Sequence, residues 1–122
     1  MLLAALLLVA ACANDTANRA QSGTLTLTLT AGGVNDGALV LIVSGAPITS
    51  VDAPAGYQIA SNADGQGTHI MVMGNIATGV IATISVPDVA RASAYAVTVM
   101  QAADRTSFSL LDAAHYHVTV SP

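Results

Sequence analysis

The chain has 122 residues, of which 53% are hydrophobic and only 8% are charged, and its net charge at pH 7 is −4. This length is enough for one domain with a hydrophobic core, and the high apolar content excludes an intrinsically disordered protein. The charged residues are seven Asp and three Arg, without Lys or Glu. Three basic side chains cannot neutralise a run of phosphates, so the composition also excludes a typical nucleic-acid-binding protein.

The first eleven residues, MLLAALLLVAA, contain no polar side chain. A helix of this length reaches about 16 Å, whereas the hydrocarbon core of a bilayer is about 30 Å thick, so the segment is too short to span a membrane. Its length and composition are those of the apolar region of an export signal, although the positively charged residues that usually precede such a region are missing. We therefore predict that residues 1–11 are a signal peptide.

The segment Val9-Ala10-Ala11-Cys12 resembles the lipobox of bacterial lipoproteins, in which a branched aliphatic residue and two small residues precede an obligatory Cys. The resemblance implies cleavage before Cys12 and attachment of a diacylglycerol to its thiol. Cys12 is the only cysteine, so no intramolecular disulfide can form, and lipidation explains a lone thiol in an exported protein. The resemblance thus implies an acylated protein of the bacterial cell envelope, and Ala13 implies the outer membrane in a Gram-negative cell.

The organisation of the mature chain follows from a change in pattern at Gly23. Residues 12–22 are mostly small and polar, without periodicity, and are predicted to form a flexible tether to a domain over residues 23–122. The segment Thr24–Thr30 alternates strictly between Thr and Leu, which predicts a strand with its leucines facing the core. The runs at 38–43 and 80–86 are apolar on both faces, so they are predicted to be central or partly covered.

Further strand-like runs follow, with turn residues between them every eight to twelve residues or so, which is the spacing typical of sandwiches and barrels. One helical turn is predicted over 88–94, with Asp88 as its N-cap. The predicted fold class is therefore all-β, an antiparallel β-sandwich of seven to nine strands. The remaining predicted strands are 48–51, 57–60, 68–73, 95–100, 108–111 and 116–120. The predicted core consists of Leu25, Leu27, Leu29, Leu39, Leu41, Val43, Ile70, Val72, Ile84, Val97, Val99, Val118 and Val120.

Most of the acidic residues fall between predicted strands, where an Asp side chain supports a turn by accepting hydrogen bonds from nearby backbone N–H groups. No spacing singles out a facing carboxylate pair, and neither a Gly-x-Ser-x-Gly motif nor a phosphate-binding loop is present. No catalytic residue and no cofactor are therefore predicted. The Asp residues interpreted in this way are Asp36, Asp52, Asp64, Asp88, Asp104 and Asp112.

One loop has a partial metal-binding pattern. The segment Asn62–Gly67 has the polar positions and the glycine that open a calcium loop, but position twelve is Met73 where a bidentate Glu would be needed. A hairpin turn between two strands is therefore predicted there.

The histidines are the other candidates for metal binding. His115 and His117 would share one face if they lay on one strand, and His69 is the candidate third ligand. The alternative is that both are polar side chains on the solvent face of an edge strand. No metal site is predicted, but these three residues are the candidates for one.

The segment Gly37–Val51 (GALVLIVSGAPITSV) resembles the early strand pair of cohesin-like and related bacterial immunoglobulin-like sandwiches. The resemblance implies a protein-docking or scaffold role. This resemblance, together with the absence of any predicted catalytic residue, favours a lipid-anchored, non-catalytic interaction or structural module. The alternatives are a lipoprotein that binds a metal or small ligand, and an enzyme.

A protein with so few charges must recognise a partner through backbone edges and through apolar or hydroxyl-bearing surface. Strand addition at an open sheet edge uses those groups. The sequence suggests Thr24–Thr30 as that edge, because this strand comes first after the tether and presents a row of hydroxyls to water.

Overall fold

The computed structural model describes residues 19–122, so the predicted signal peptide, Cys12 and most of the predicted tether lie outside the described residues. The described chain is all-β, as predicted, and forms two antiparallel sheets with two short 3-10 helices, Val89–Ala94 and Ala113–His115. No helix within residues 19–122 is long and apolar enough to cross a membrane. The nine strands are β1 (Gly23–Ala31), β2 (Asp36–Ser44), β3 (Ser50–Asp52), β4 (Tyr57–Asp64), β5 (Gly67–Ile76), β6 (Gly79–Val86), β7 (Ala96–Asp104), β8 (Leu110–Leu111) and β9 (His117–Ser121).

The two sheets form a β-sandwich. One has four strands in the order β3-β6-β1-β9, and the other has five in the order β4-β5-β2-β7-β8. Strand β2 is central and β6 is interior, as their two-sided apolar sequences predict. Alternate residues of each strand point into the space between the sheets, where Leu27 of β1 and Leu41 of β2 are fully buried.

The predicted core is largely confirmed. Val97, Val118 and Val120 are only half-buried against it, because β9 is an edge strand and Val97 lies where β7 has no neighbour on its outer side. The other predicted core residues are all buried. The sequence analysis missed the buried residues Ile76, Ile81, Ala82, Val86, Tyr95, Ala102 and Tyr116.

The prediction that Thr24–Thr30 forms an open edge is wrong. Strand β1 pairs with β6 on one side and with β9 on the other, so its backbone groups are used within the sheet. Alternation of polar and apolar residues indicates which face of a strand is exposed to solvent. It does not indicate how many neighbouring strands the strand pairs with.

The sandwich has two distinct ends. Strand β1 begins at the end where the predicted tether joins, and we call this the tether end. There the N–H of Gln21 donates to Asp88, at 3.3 Å, and the N–H of Val89 donates to the Gln21 carbonyl, at 2.8 Å. The loops at 32–35 and 105–109 lie at the opposite end, which we call the distal end, because β1 ends and β2 begins there.

Candidate interaction surface

The outer side of the five-stranded sheet is apolar at its centre. In β2 the side chains of Leu39, Leu41 and Val43 point inward, so those of Val40 and Ile42 point outward. The same alternation along β5 directs Ile70 and Val72 inward and His69, Met71 and Met73 outward. We call the outward side chains of β4, β5, β2 and β7 the methionine face.

The strand register arranges this face into cross-strand rows. Met71 lies between Val40 of β2 and Ala60 of β4, while Met73 lies between Ala38 and Gln58. Neighbouring strands are about 4.8 Å apart and successive rows about 6.6 Å apart, so the side chains of adjacent rows touch. From the tether end, the three rows are Asn62–His69–Ile42–Thr98, Ala60–Met71–Val40–Gln101 and Gln58–Met73–Ala38–Ala103.

The three rows contain neither Asp nor Arg. Apolar side chains occupy the middle, and the neutral polar side chains of Gln58, Asn62, Thr98 and Gln101 lie toward the margins. Met71 is 41% exposed. An apolar centre with a polar rim is the usual composition of a protein interface, and methionine adapts its shape to a partner.

The methionine face ends in a cleft at the distal end. The cleft has a volume of about 400 Å³ and is lined by side chains of the face, Ala38, Met73 and Ala103, together with Arg105 and Phe108 of the loop that follows β7. Phe108 is 82% exposed, so its ring forms part of the wall without being covered by the rest of the domain.

The backbone of Phe108 is strained. Its φ angle is +58°, in the left-handed region that a bulky residue rarely adopts, and it is the one non-glycine residue with positive φ in the described part of the chain. The sequence analysis placed Phe108 in a strand, but β8 begins only at Leu110. An exposed aromatic side chain held at a strained position is a feature that clusters at binding sites.

Asp104 holds the loop that carries Phe108. Its carboxylate accepts hydrogen bonds from the N–H groups of Thr106 and Ser107, both at 2.8 Å, and from the Asn35 side chain at 3.2 Å. These bonds, first those from Ser107 and Thr106 and then that from Asn35, lower the pKa of Asp104 to about 2. Asp104 therefore supports a turn, as predicted, and keeps this support at neutral pH.

The same loop is tied to the loop between β1 and β2. The Arg105 guanidinium donates to the Asn35 side-chain carbonyl at 2.7 Å, and the Arg105 N–H donates to the Asn35 backbone carbonyl at 2.8 Å. Hydrogen bonds within the domain thus hold the wall of the cleft that contains Phe108 in place, and preorganisation of this kind lowers the entropic cost of binding at a site.

Asp36 anchors the start of β2, next to Gly37 and Ala38 of the cleft lining. It is completely buried, and its carboxylate accepts one hydrogen bond from the hydroxyl of Tyr116 and a second from the Gly33 N–H at 2.7 Å. Burial of the ring is the largest cause that raises the pKa of Tyr116 to about 12, followed by its hydrogen bond to Asp36 and the charge of Asp36. Asp36 thus supports a turn as predicted, and it also connects two segments 80 residues apart.

Three of the other acidic residues support turns or helix starts as predicted, whereas Asp52 lies in β3 opposite Thr83 of β6, so its predicted place between strands is wrong. Asp88 and Asp112 cap the two 3-10 helices, where their carboxylates accept from the N–H groups of Ala90 and Ala114. Asp64 closes the hairpin between β4 and β5, where it accepts from the Gln66 N–H at 2.7 Å. This bond, followed by the hydrogen bond and charge of His69, lowers the pKa of Asp64. The predicted hairpin turn within Asn62–Gly67 is confirmed.

The candidate metal ligands do not assemble. His115 ends the second 3-10 helix and β9 begins only at His117, so the predicted shared strand face is wrong. His69 lies on the other sheet, where its Nε2 is 2.8 Å from the Asp64 carboxylate. Among residues 19–122 no three side chains of His, Cys, Asp or Glu lie close enough together to hold a metal ion.

The sequence contained part of the signal for the methionine face. The run at 38–43 is apolar on both faces, and Met71 and Met73 alternate with the buried Ile70 and Val72. What it lacked was the pairing of β2 with β5, which places these side chains in common rows. The role of Phe108 could not be predicted from the sequence, because no residue pattern around it indicates a left-handed backbone conformation.

Comparison with known proteins gives no relative, since no protein-family model, no curated protein and no solved structure matches the chain.

Proposed function

We propose that this protein is a non-catalytic interaction module that binds a protein partner through the methionine face, with Phe108 at its distal margin. The observation that carries the proposal is the uncharged apolar centre of that face, where Met71 is exposed and Val40, Ile42 and Met73 are half-buried. Contiguous exposed apolar surface of this kind marks interaction sites on soluble domains. The resemblance of Gly37–Val51 to cohesin-like sandwiches favours the same class of function.

The proposal includes a lipid anchor at Cys12 in the bacterial cell envelope, in the outer membrane if the cell is Gram-negative. The tether joins the domain where β1 begins, whereas Phe108 lies at the distal end. An anchored domain would therefore present Phe108 and its cleft on the side away from the attachment point. This orientation suits the capture of a partner that lies outside the membrane.

A photo-reactive amino acid at Met71 of the full-length chain should form adducts with the partner in cells, because Met71 lies at the centre of the face. Val80 is the matched control position, since it is similarly exposed, at 45% against 41%, but lies on β6 of the other sheet. Adding Val40→Lys should lower the adduct yield from Met71 at least tenfold, as expected when a charge enters the centre of an interface.

A parallel Phe108→Ser variant should lower the adduct yield from Met71 as well, and circular dichroism of each variant verifies that the sheets are intact. Equal adducts from Met71 and Val80, or an unchanged yield with Val40→Lys, would contradict the proposal. Turnover of a substrate by the purified protein, lost on replacing Asp64 or His117, would contradict its non-catalytic part.

The Cys12→Ala variant should no longer incorporate radiolabelled palmitate, because Cys12 would carry the diacylglycerol and the added acyl chain that together supply stable anchoring. Labelling of cells followed by immunoprecipitation measures this, and Ser22→Ala serves as a control substitution within the predicted tether. Equal label on Cys12→Ala and on the unaltered chain, or no label on either, would show that the anchor is wrong.

Binding of a small apolar ligand is a second candidate function, favoured by the cleft of about 400 Å³ beside Phe108. This volume lies within the range of small-molecule sites, about 300–1,000 Å³. Native mass spectrometry of the protein purified from its own cells would show such a ligand as an added mass that Phe108→Ala removes.

A further inference from the structure

Within residues 19–122 the sandwich has four edge strands, and β4 is the longest of them. Strand β4 pairs with β5 over eight residues, whereas β3, β8 and β9 have three, two and five residues. On the open side of an edge strand, alternate residues leave their backbone N–H and C=O groups without a strand partner. In the described part of the chain, β4 therefore offers the longest stretch of strand backbone without a partner on one side.

Strand β4 lacks the features that usually protect an edge. It contains no proline and no basic residue, and its pairing with β5 has no irregularity of register. Its only charged residue is the terminal Asp64, and the side chains from Ala60 to Asp64 are exposed. By contrast, β3 is short and lies between Pro47 and Pro54.

We propose that β4 forms an antiparallel pair with β4 of a second copy of this chain. The two copies are related by a two-fold axis that passes midway between their Ala60 residues. In a joined sheet, the outward side chains of both copies must lie on the same face. With a two-fold axis perpendicular to the sheet, this holds only if one residue lies opposite its own counterpart in the second copy. With Ala60 at the axis, Ile59 lies opposite Ser61, Gln58 opposite Asn62, and Tyr57 opposite Ala63. This register uses seven of the eight residues of β4.

The side chains of β4 suit this pairing. The small Ala60 lies at the axis, where its counterpart approaches most closely, and the amides of Gln58 and Asn62 form hydrogen-bonding pairs on the outer face. The two Asp64 carboxylates lie about 26 Å apart at opposite ends of the paired strands, well beyond the screening length of about 8 Å at physiological salt. Residues 57–63 of β4 are uncharged, so no like charges lie opposite each other in this register.

The pairing would join two five-stranded sheets into one of ten strands and place the two methionine faces side by side. It concerns the edge of β4 and is independent of the proposed binding by the face, so either can fail without the other.

The Ala60→Cys variant of the full-length chain tests the register. Directly opposite residues of antiparallel strands have Cα atoms about 4.5–5.5 Å apart, within the range that a disulfide spans. Under mild oxidation in the membrane, Ala60→Cys should give at least ten times more covalent dimer than Val80→Cys, whose side chain is exposed on the other sheet. The unaltered chain, which contains only Cys12, measures the background.

A second pair of variants distinguishes disulfides formed in this register from disulfides formed by random collision of two chains. Gln58→Cys and Asn62→Cys should each give little dimer alone, because identical positions then lie about 13 Å apart, but much dimer when the two variants are expressed together. All three positions on β4 are exposed, so the substitutions leave the core unchanged. No excess of Ala60→Cys dimer over Val80→Cys dimer, or a greater yield from Asn62→Cys alone, would overturn the proposal.

Discussion

The Tyr116→Phe variant is expected to lose roughly 2–4 kcal/mol of unfolding free energy, because it removes a hydroxyl donor from a buried carboxylate. Asp36 is 0% exposed and would keep only the Gly33 N–H as a partner. For a domain of this size the change corresponds to a fall in melting temperature of roughly 10–20 °C. Chemical denaturation followed by circular dichroism measures the free energy.

Tyr95→Phe is the matched control for this substitution. Tyr95 and Tyr116 are both 7% exposed, but the Tyr95 hydroxyl donates to the neutral backbone carbonyl of Pro47, at 2.6 Å. Its loss should cost only about 1 kcal/mol, so the difference between the two variants measures the effect of the carboxylate. In the double variant Tyr116→Phe with Asp36→Asn, the added cost of the second change should be smaller than that of Asp36→Asn alone. Equal losses for Tyr116→Phe and Tyr95→Phe would contradict this account.

Alkaline pH provides an independent test of the same contact. Because the pKa of Tyr116 is raised from 10 to about 12 in the folded protein, its contribution to stability is complete below pH 10 and is lost as the pH rises toward 12. The unaltered chain should therefore lose more stability between pH 10 and pH 12 than Tyr116→Phe does. Melting temperatures at a series of pH values measure this difference.

Local sequence pattern predicted the faces of strands well and their neighbours poorly. The alternation over Thr24–Thr30 correctly placed three leucines in the core, since a period of two determines which side chains are buried together. It could not show that β1 has neighbours on both sides, because strands β6 and β9 come from distant parts of the chain. The open edge was therefore assigned to β1, although the longest open edge is β4.

The methionine face could be predicted from the sequence only in part, because it too depends on which strands pair with each other. Val40 and Met71 are apolar residues whose outward direction follows from their own strands, but their contact depends on the pairing of β2 with β5. The tie between Asp36 and Tyr116 joins residues 80 positions apart, and turn chemistry alone explained Asp36. His115 was misplaced because Asp112 begins a 3-10 helix where the sequence suggested the approach to a strand.

The Gly45→Ala variant is expected to lose roughly 3–5 kcal/mol of unfolding free energy, because backbone strain and a steric clash add at this position. Gly45 has a φ angle of +99°, which an alanine adopts only with strain, and a Cβ atom built there would lie 1.9 Å from the carbonyl oxygen of Ala94. The chain at Ala94 would have to move, and with it the adjacent Tyr95 and its hydrogen bond to Pro47.

Gly56→Ala separates the two costs. Gly56 has a similar φ angle, +90°, but no atom lies within 4 Å of a Cβ built there, so only the backbone strain of about 1–2 kcal/mol should appear. The excess loss in Gly45→Ala then measures the close approach between the turn after β2 and the first 3-10 helix. Because this approach lies at the tether end, adducts from Met71 should persist at temperatures where Gly45→Ala is still folded. If Gly45→Ala and Gly56→Ala unfold at the same urea concentration, the two segments do not approach each other as closely as described.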